Sequence, residues 1–217
     1  SSLVCGDPST DLVTIARESS ADVLLVGRRG TGTFKKLLLG SVSERVVNAG
    51  QVPTLIVGPQ RPRPYETPLV ALPGDESLRF ILDAALRVLP GEARKITIIS
   101  AVTVAMEGWL WSGWISSKEI LRLRALARQR IQSALERLLA PYRMAGILCR
   151  VTIQEGDPRR VILNALKRRM SDLLVLGTSS RTGIFPLRLG SVSAHVIRYS
   201  SCDVLVVPPP NSTGRQQ

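Results

Sequence analysis

Short apolar runs alternate along this chain with longer stretches whose apolar residues recur every third or fourth position. The runs read as strands buried on both faces, and the periodic stretches as helices that cover them. Val23-Leu24-Leu25-Val26, Thr54-Leu55-Ile56-Val57, Leu69-Val70-Ala71-Leu72, Lys95–Val102, Leu173-Leu174-Val175-Leu176 and Val204-Leu205-Val206-Val207 are the predicted strands. Helices are predicted over about 8–19, 75–89, 117–144 and 158–169, and from Ser41 and Ser191 onward. Leu78, Ile81, Leu82, Ala85 and Leu89 share one face of the second of these. Ile120, Leu123, Ile131, Leu135, Leu138 and Leu139 mark the apolar positions of the third. Strands alternating with helices, and apolar throughout, predict a parallel sheet covered on both faces.

The pattern occurs twice. Residues 6–59 align without a gap on residues 156–209 at a constant offset of 150, with 16 of the 54 positions identical. Gly6-Asp7-Pro8 matches Gly156-Asp157-Pro158, Gly27 matches Gly177, and Gly40-Ser41-Val42-Ser43 matches Gly190-Ser191-Val192-Ser193. In each segment a short strand is expected to end at Gly-Asp-Pro, where the aspartate can cap the next helix and the proline fits its first turn. The arrangement predicts a Rossmann-like α/β fold, a doubly wound five-stranded parallel sheet, present as one complete copy over 67–209 and a C-terminal half copy over 1–59. Residues 60–66 form a Pro/Arg-rich linker and 210–217 a flexible tail. The counterpart of Thr67 would fall at position −83, so a longer polypeptide or a second chain is expected to complete the first sheet. The equivalent last strands, 54–57 and 204–207, are expected to lie side by side in one continuous sheet.

Composition narrows the function. Aromatic residues are 4% of the chain, so Leu, Val, Ile and Ala must fill the core. Cys5, Cys149 and Cys202 are far apart and have no metal-ligand or redox spacing, and the lone His195 excludes a His-rich metal site. A reducing, cytoplasmic setting follows from that usage. No run of 18 apolar residues is present. The net charge of +12 reads as solvated helix faces or as attraction to an anionic surface. No helix-turn-helix or aromatic-interleaved basic motif argues for nucleic acid. Trp109, Trp111 and Trp114 crowd one segment without cofactor spacing, and fit packing against the sheet or a partner-facing patch. No catalytic constellation appears around His195, so an enzyme is not expected.

The informative motif is Gly27-Arg28-Arg29-Gly30, nine residues, then Gly40-Ser41. A glycine after a strand lets backbone approach a ligand closely. Gly40-Ser41 opens a helix whose unpaired N–H groups favour an anion. Ser41 and Ser43 offer hydroxyls to phosphate oxygens, with Arg28 at the rim. The same positions in the second segment are Gly177, Ser180, Gly190, Ser191 and Ser193.

This motif, with Leu37-Leu38-Leu39-Gly40-Ser41-Val42-Ser43-Glu44-Arg45-Val46 around it, resembles the universal stress protein family, whose signature is Gly-x2-Gly-x9-Gly-(Ser/Thr). The resemblance implies a five-stranded parallel sheet, pairing through the last strand, and in some members ATP binding through this loop, with Mg accompanying ATP. It makes Gly27, Arg28, Gly30, Gly40, Ser41, Val42 and Ser43 the candidate nucleotide residues, together with Gly177, Ser180, Gly190, Ser191 and Ser193. The second segment departs from the signature at Ser180. The family's nucleotide-holding Asp aligns with Pro73, and Asp75 follows two residues later. The first segment's loop is therefore expected to be the stronger site. The resemblance implies a regulatory nucleotide-responsive module, commonly a homo-oligomer. The alternative it leaves open is a cytosolic regulatory domain of a membrane transporter.

Overall fold

The computed structural model describes residues 6–28, 39–58, 63–73, 79–91, 95–103, 116–178 and 189–210. The tail 211–217, the tryptophan segment and the strand expected before Gly6 lie outside the described residues. Among the described residues seven strands form one sheet: β1 (Leu24–Gly27), β2 (Thr54–Val57), β3 (Pro68–Ala71), β4 (Lys95–Val102), β5 (Leu148–Glu155), β6 (Leu173–Gly177) and β7 (Asp203–Val207). Their order is β1-β2-β7-β6-β3-β4-β5. The last five are mutually parallel, and β1 is parallel to β2. β2 meets β7 antiparallel, Leu55 facing Leu205. The two equivalent last strands therefore adjoin, as expected, within one chain.

Helix ends follow local chemistry. Asp7 caps α1 (Pro8–Glu18), accepting hydrogen bonds from the Ser9 amide at 3.0 Å and the Ser9 hydroxyl at 2.7 Å. Asp157 does the same for α5 (Pro158–Arg169), accepting from the Arg159 amide at 2.8 Å. Hydrogen bonds from the Arg159 side chain hold the Asp157 carboxyl well below the usual carboxylate range. α2 (Ser41–Ala49) stops at Gly50, whose φ of 56° suits a residue without Cβ. α3 covers Arg79–Val88 and α6 covers Ser191–Tyr199. α4 runs 28 residues, Ser117–Met144, from a capping box between Ser116 and Glu119.

Two cores flank the sheet. α3 and α4 close one around Val70, Ile98 and Val175, and α1, α2, α5 and α6 close the other around Leu69, Leu174 and Val204. β3, β6 and β7 bury both faces, as their uniformly apolar runs require, while the edge strand β5 keeps Leu148 and Arg150 exposed. β1 differs. Leu25 is 63% exposed, whereas its repeat equivalent Val175 is fully covered beneath α3. Among the described residues nothing pairs with the second edge of β1, while β6 pairs with both β7 and β3.

Candidate functional site

In a doubly wound sheet, ligands bind beyond the carboxyl ends of the strands, where the chain order reverses. That point here lies between β3 and β6, since β4 continues on one side of β3 and β6 lies on the other. A cavity of about 940 Å³ opens there. Leu72 and Pro73 follow β3, Thr103 follows β4, Gly177 ends β6, and Val192 and Ser193 come from the first turn of α6. Pro158 brings the start of α5 to the same wall. Two helix N-termini thus reach the cavity with their positive dipole ends.

The glycine–serine units have a shared geometry. Gly40 and Gly190 are the N-caps of α2 and α6, both extended, with φ/ψ of −67°/150° and −60°/154°. Neither glycine cap makes a side-chain cap hydrogen bond, and a helix start of this kind presents its first-turn N–H groups to an anion. Ser41 and Ser191 stand exposed at the first helical position, and Val42 and Val192 are half-buried behind them. Ser43 and Ser193 have a role that the sequence reading did not assign. The Ser43 hydroxyl donates to the carbonyl of Gly27 at 2.7 Å, and Ser193 donates to the carbonyl of Gly177 at 2.9 Å. Each serine pins the helix start to the strand end, which sets the width of the loop mouth. Repetition of this serine at both registers was the available signal.

Gly177 is tightly packed. A Cβ there would stand 2.8 Å from Cδ1 of Ile81 on α3. Gly30 and Ser180 lie outside the described residues, as does Asp75.

Arg28 is a correction. The reading of a phosphate-rim residue gives way because its side chain is buried in the opposite direction, against the second repeat segment. Its guanidinium donates to the Ile197 carbonyl at 3.0 Å, the Ser200 hydroxyl at 3.1 Å and the Cys202 carbonyl at 2.7 Å. These acceptors belong to the C-terminal end of α6 and the turn after it, where unpaired carbonyls and the negative end of the dipole attract a cation.

The described cavity adjoins the second of the two loops. The cavity draws on β3, β4 and α4, which stand beside β6 and have no described counterpart beside β1. A better glycine pattern does not supply walls. The His195 and Tyr199 rings lie against each other at a tilt of 42°, with centroids 4.6 Å apart. Among the described residues no group of three or more His, Cys, Asp or Glu side chains converges, and the described cavity wall carries no carboxylate to hold the Mg²⁺ that accompanies ATP.

The sheet order, the repeated glycine–serine starts and the cavity at the reversal point define a Rossmann-like, doubly wound α/β architecture. The chain belongs to the universal stress protein family, whose model matches residues 2–58 and 65–208. A universal stress protein of Mycobacterium tuberculosis is 27% identical over 205 residues, spanning 92% of this chain and 68% of that protein. One from Methanocaldococcus jannaschii is 33% identical over 85 residues, 39% of this chain and 50% of the relative. Among solved structures, a universal stress protein from Archaeoglobus fulgidus superposes with a TM-score of 0.65 at 24% identity, covering 94% of this chain and 68% of that one. A protein of unknown function from Pseudomonas aeruginosa superposes with a TM-score of 0.68 at 18% identity, over 95% and 69% of the two chains.

Proposed function

We propose that this chain is a non-catalytic regulatory module that binds ATP or a related adenine nucleotide in the cavity beside β6. The observation that carries the reading is the glycine-capped start of α6, where Ser191 is exposed and the next two residues, Val192 and Ser193, line a large and mainly apolar cavity. Apolar walls suit a base and ribose, and the helix start suits phosphate. The fold alone would not support this, since such sheets host many activities. A cytosolic setting accords with the free, buried Cys149 and Cys202. No helix among the described residues is long and apolar enough to cross a membrane.

The β2–β7 pairing inside the chain occupies the last strands, through which the family resemblance implies pairing. Any homo-oligomer then uses another surface, and the open edge of β1 is the natural place for a further segment or partner chain to add a strand.

Calorimetry with ATP, ADP and AMP tests the proposal. Ser191→Ala is expected to lower affinity roughly tenfold by removing a hydroxyl donor to a charged phosphate, and Ser41→Ala to lower it less. Absence of binding by the unaltered chain, together with no nucleotide released from the purified protein, would overturn the reading. Equal losses at Ser41 and Ser191 would move the site to both loops.

A further inference from the structure

The internal repeat supplies a template for the surface around β1, because the same register 150 residues on shows what covers each position. β6 pairs with β7 on one side and with β3 on the other, Pro68 facing Leu173 and Ala71 facing Leu176. β1 pairs with β2, and no described strand pairs with its other edge. On one face of the sheet Leu25 is exposed, while its counterpart Val175 is covered beneath α3. On the opposite face Leu12 and Ile15 of α1 are exposed. Their counterparts Ile162 and Ala165 of α5 are buried in the core that includes Ile99 of β4.

That second difference sets the size of the cover. β4 stands beyond β3, two strands from β6. A single strand added to β1 therefore leaves Leu12 and Ile15 bare, whereas two parallel strands joined by a helix cover all three residues. Parallel neighbours need a crossover of a dozen or more residues, and it is right-handed. In the second segment the cover is β3-α3-β4. The longest stretch of this chain outside the described residues, 104–115, is 12 residues, too short for such a unit.

Asp22 marks where the first added strand begins. Its counterpart Asp172 stands just before β6 and accepts the main-chain amides of Glu66 at 2.7 Å and Thr67 at 3.1 Å, immediately before β3. Asp22 precedes β1 in the same way. It holds instead an exposed ion pair with Arg87 at 3.2 Å, a kind of contact worth little in water.

We propose that β1, Asp22 and the exposed apolar residues of α1 form a docking surface for a partner polypeptide that carries a strand–helix–strand unit of the β3-α3-β4 type. Its first strand adds parallel to β1, four residues facing Val23, Leu24, Leu25 and Val26, the register that β3 takes on β6. The two amides before that strand bond to the Asp22 carboxylate. Its helix covers Leu25, and its second strand runs beneath Leu12 and Ile15. Main-chain pairing gives affinity, and the two apolar faces select a unit of this size over a lone strand.

The test is co-expression of the full chain with a tagged polypeptide of residues 63–103, a unit of this type. A 1:1 complex is expected on the tag, with hydrogen exchange of the β1 amides slowed at least about tenfold. Leu25→Lys is expected to abolish capture and to leave thermal unfolding of the chain unchanged, since the residue is exposed. Asp22→Ala is expected to weaken the complex roughly tenfold by removing a charged acceptor, and Asp22→Asn to retain part of the affinity. Capture that persists in Leu25→Lys would place the added unit on β6, in exchange for the chain's own β3, and overturn the proposal. Failure to form the complex would overturn it too. So would a dimer of the chain alone that Leu25→Lys disperses, which would assign this edge to a second copy.

Discussion

The Arg28 guanidinium and the Cys202 main-chain carbonyl lie 2.7 Å apart, joining the strand end of one repeat segment to the turn before the last strand of the other. The repeat equivalent of Arg28 is Thr178, so the contact has no mirror image on the opposite side of the β2–β7 seam. Replacing Arg28 with Ala leaves the Ile197 and Cys202 carbonyls and the Ser200 hydroxyl without this donor in a buried site. Hydrogen bonds to charged groups are worth about 1.5–3 kcal/mol each and do not add fully, so a loss of about 2–4 kcal/mol is expected in urea unfolding. Arg28→Lys should recover only part, because one ammonium cannot reproduce the planar fork. A change below about 0.5 kcal/mol would show the clamp to be energetically idle.

The unequal edges of the sheet give a second expectation. Leu25 and Val175 occupy the same register in the two segments, one 63% exposed and one fully covered. Leu12 and Ile15 on α1 are likewise exposed, while their equivalents Ile162 and Ala165 on α5 are buried. Val175→Ala should cost about 2 kcal/mol, from two methyl groups at about 0.8 kcal/mol each plus a cavity term. Leu25→Ala should stay within about 0.5 kcal/mol. Denaturant midpoints of the two variants decide the matter. A large loss at Leu25 would mean that another strand or chain already covers β1 in solution.

Gly177 and Ile81 should be energetically coupled. An alanine at 177 would place its Cβ 2.8 Å from the Ile81 Cδ1, the flexible end of a side chain. Gly177→Ala is expected to cost about 1–3 kcal/mol by overpacking. Ile81→Val removes the clashing atom, so the double variant should be more stable than the sum of the single changes by at least about 0.5 kcal/mol. Strict additivity in thermal unfolding would place the penalty in the backbone instead.

Cys202 supplies a pH signature. Burial is the main cause that pushes its thiol up to about 12, from an ordinary value of 9.0. A thiol that ionises earlier in the unfolded chain than in the folded one contributes stability that is intact below about pH 9. That contribution is lost as pH rises toward about 12. The difference in unfolding free energy between the unaltered chain and Cys202→Ala should therefore shrink above pH 9. Thiol reagents at pH 8 should leave Cys202 unmodified until the protein unfolds. Rapid native-state labelling would contradict the burial.

How much of this could be read without a fold depends on the range of the interaction. The alternation of apolar runs and helical periodicity is local, and it located the strands to within a residue or two: Val23–Val26 was expected where Leu24–Gly27 is found. Asp7-Pro8 and Asp157-Pro158 announced helix starts because a cap bonds to an amide only two or three residues away. The constant offset of 150 identified 54–57 and 204–207 as equivalent last strands, and the family resemblance, with its pairing through that strand, implied that they adjoin. Other facts depended on distant partners. Whether Arg28 turned to a loop or to α6 was decided by carbonyls about 170 positions away. Ser43 and Ser193 read as phosphate donors until the carbonyls of Gly27 and Gly177 came within bonding distance. The glycine motif favoured the first loop, but a binding cavity needs walls, and β3, β4 and α4 stand only beside the second among the described residues. Local order is written in short-range periodicity and capping, whereas the direction of a long side chain and the enclosure of a site exist only once remote segments pack together.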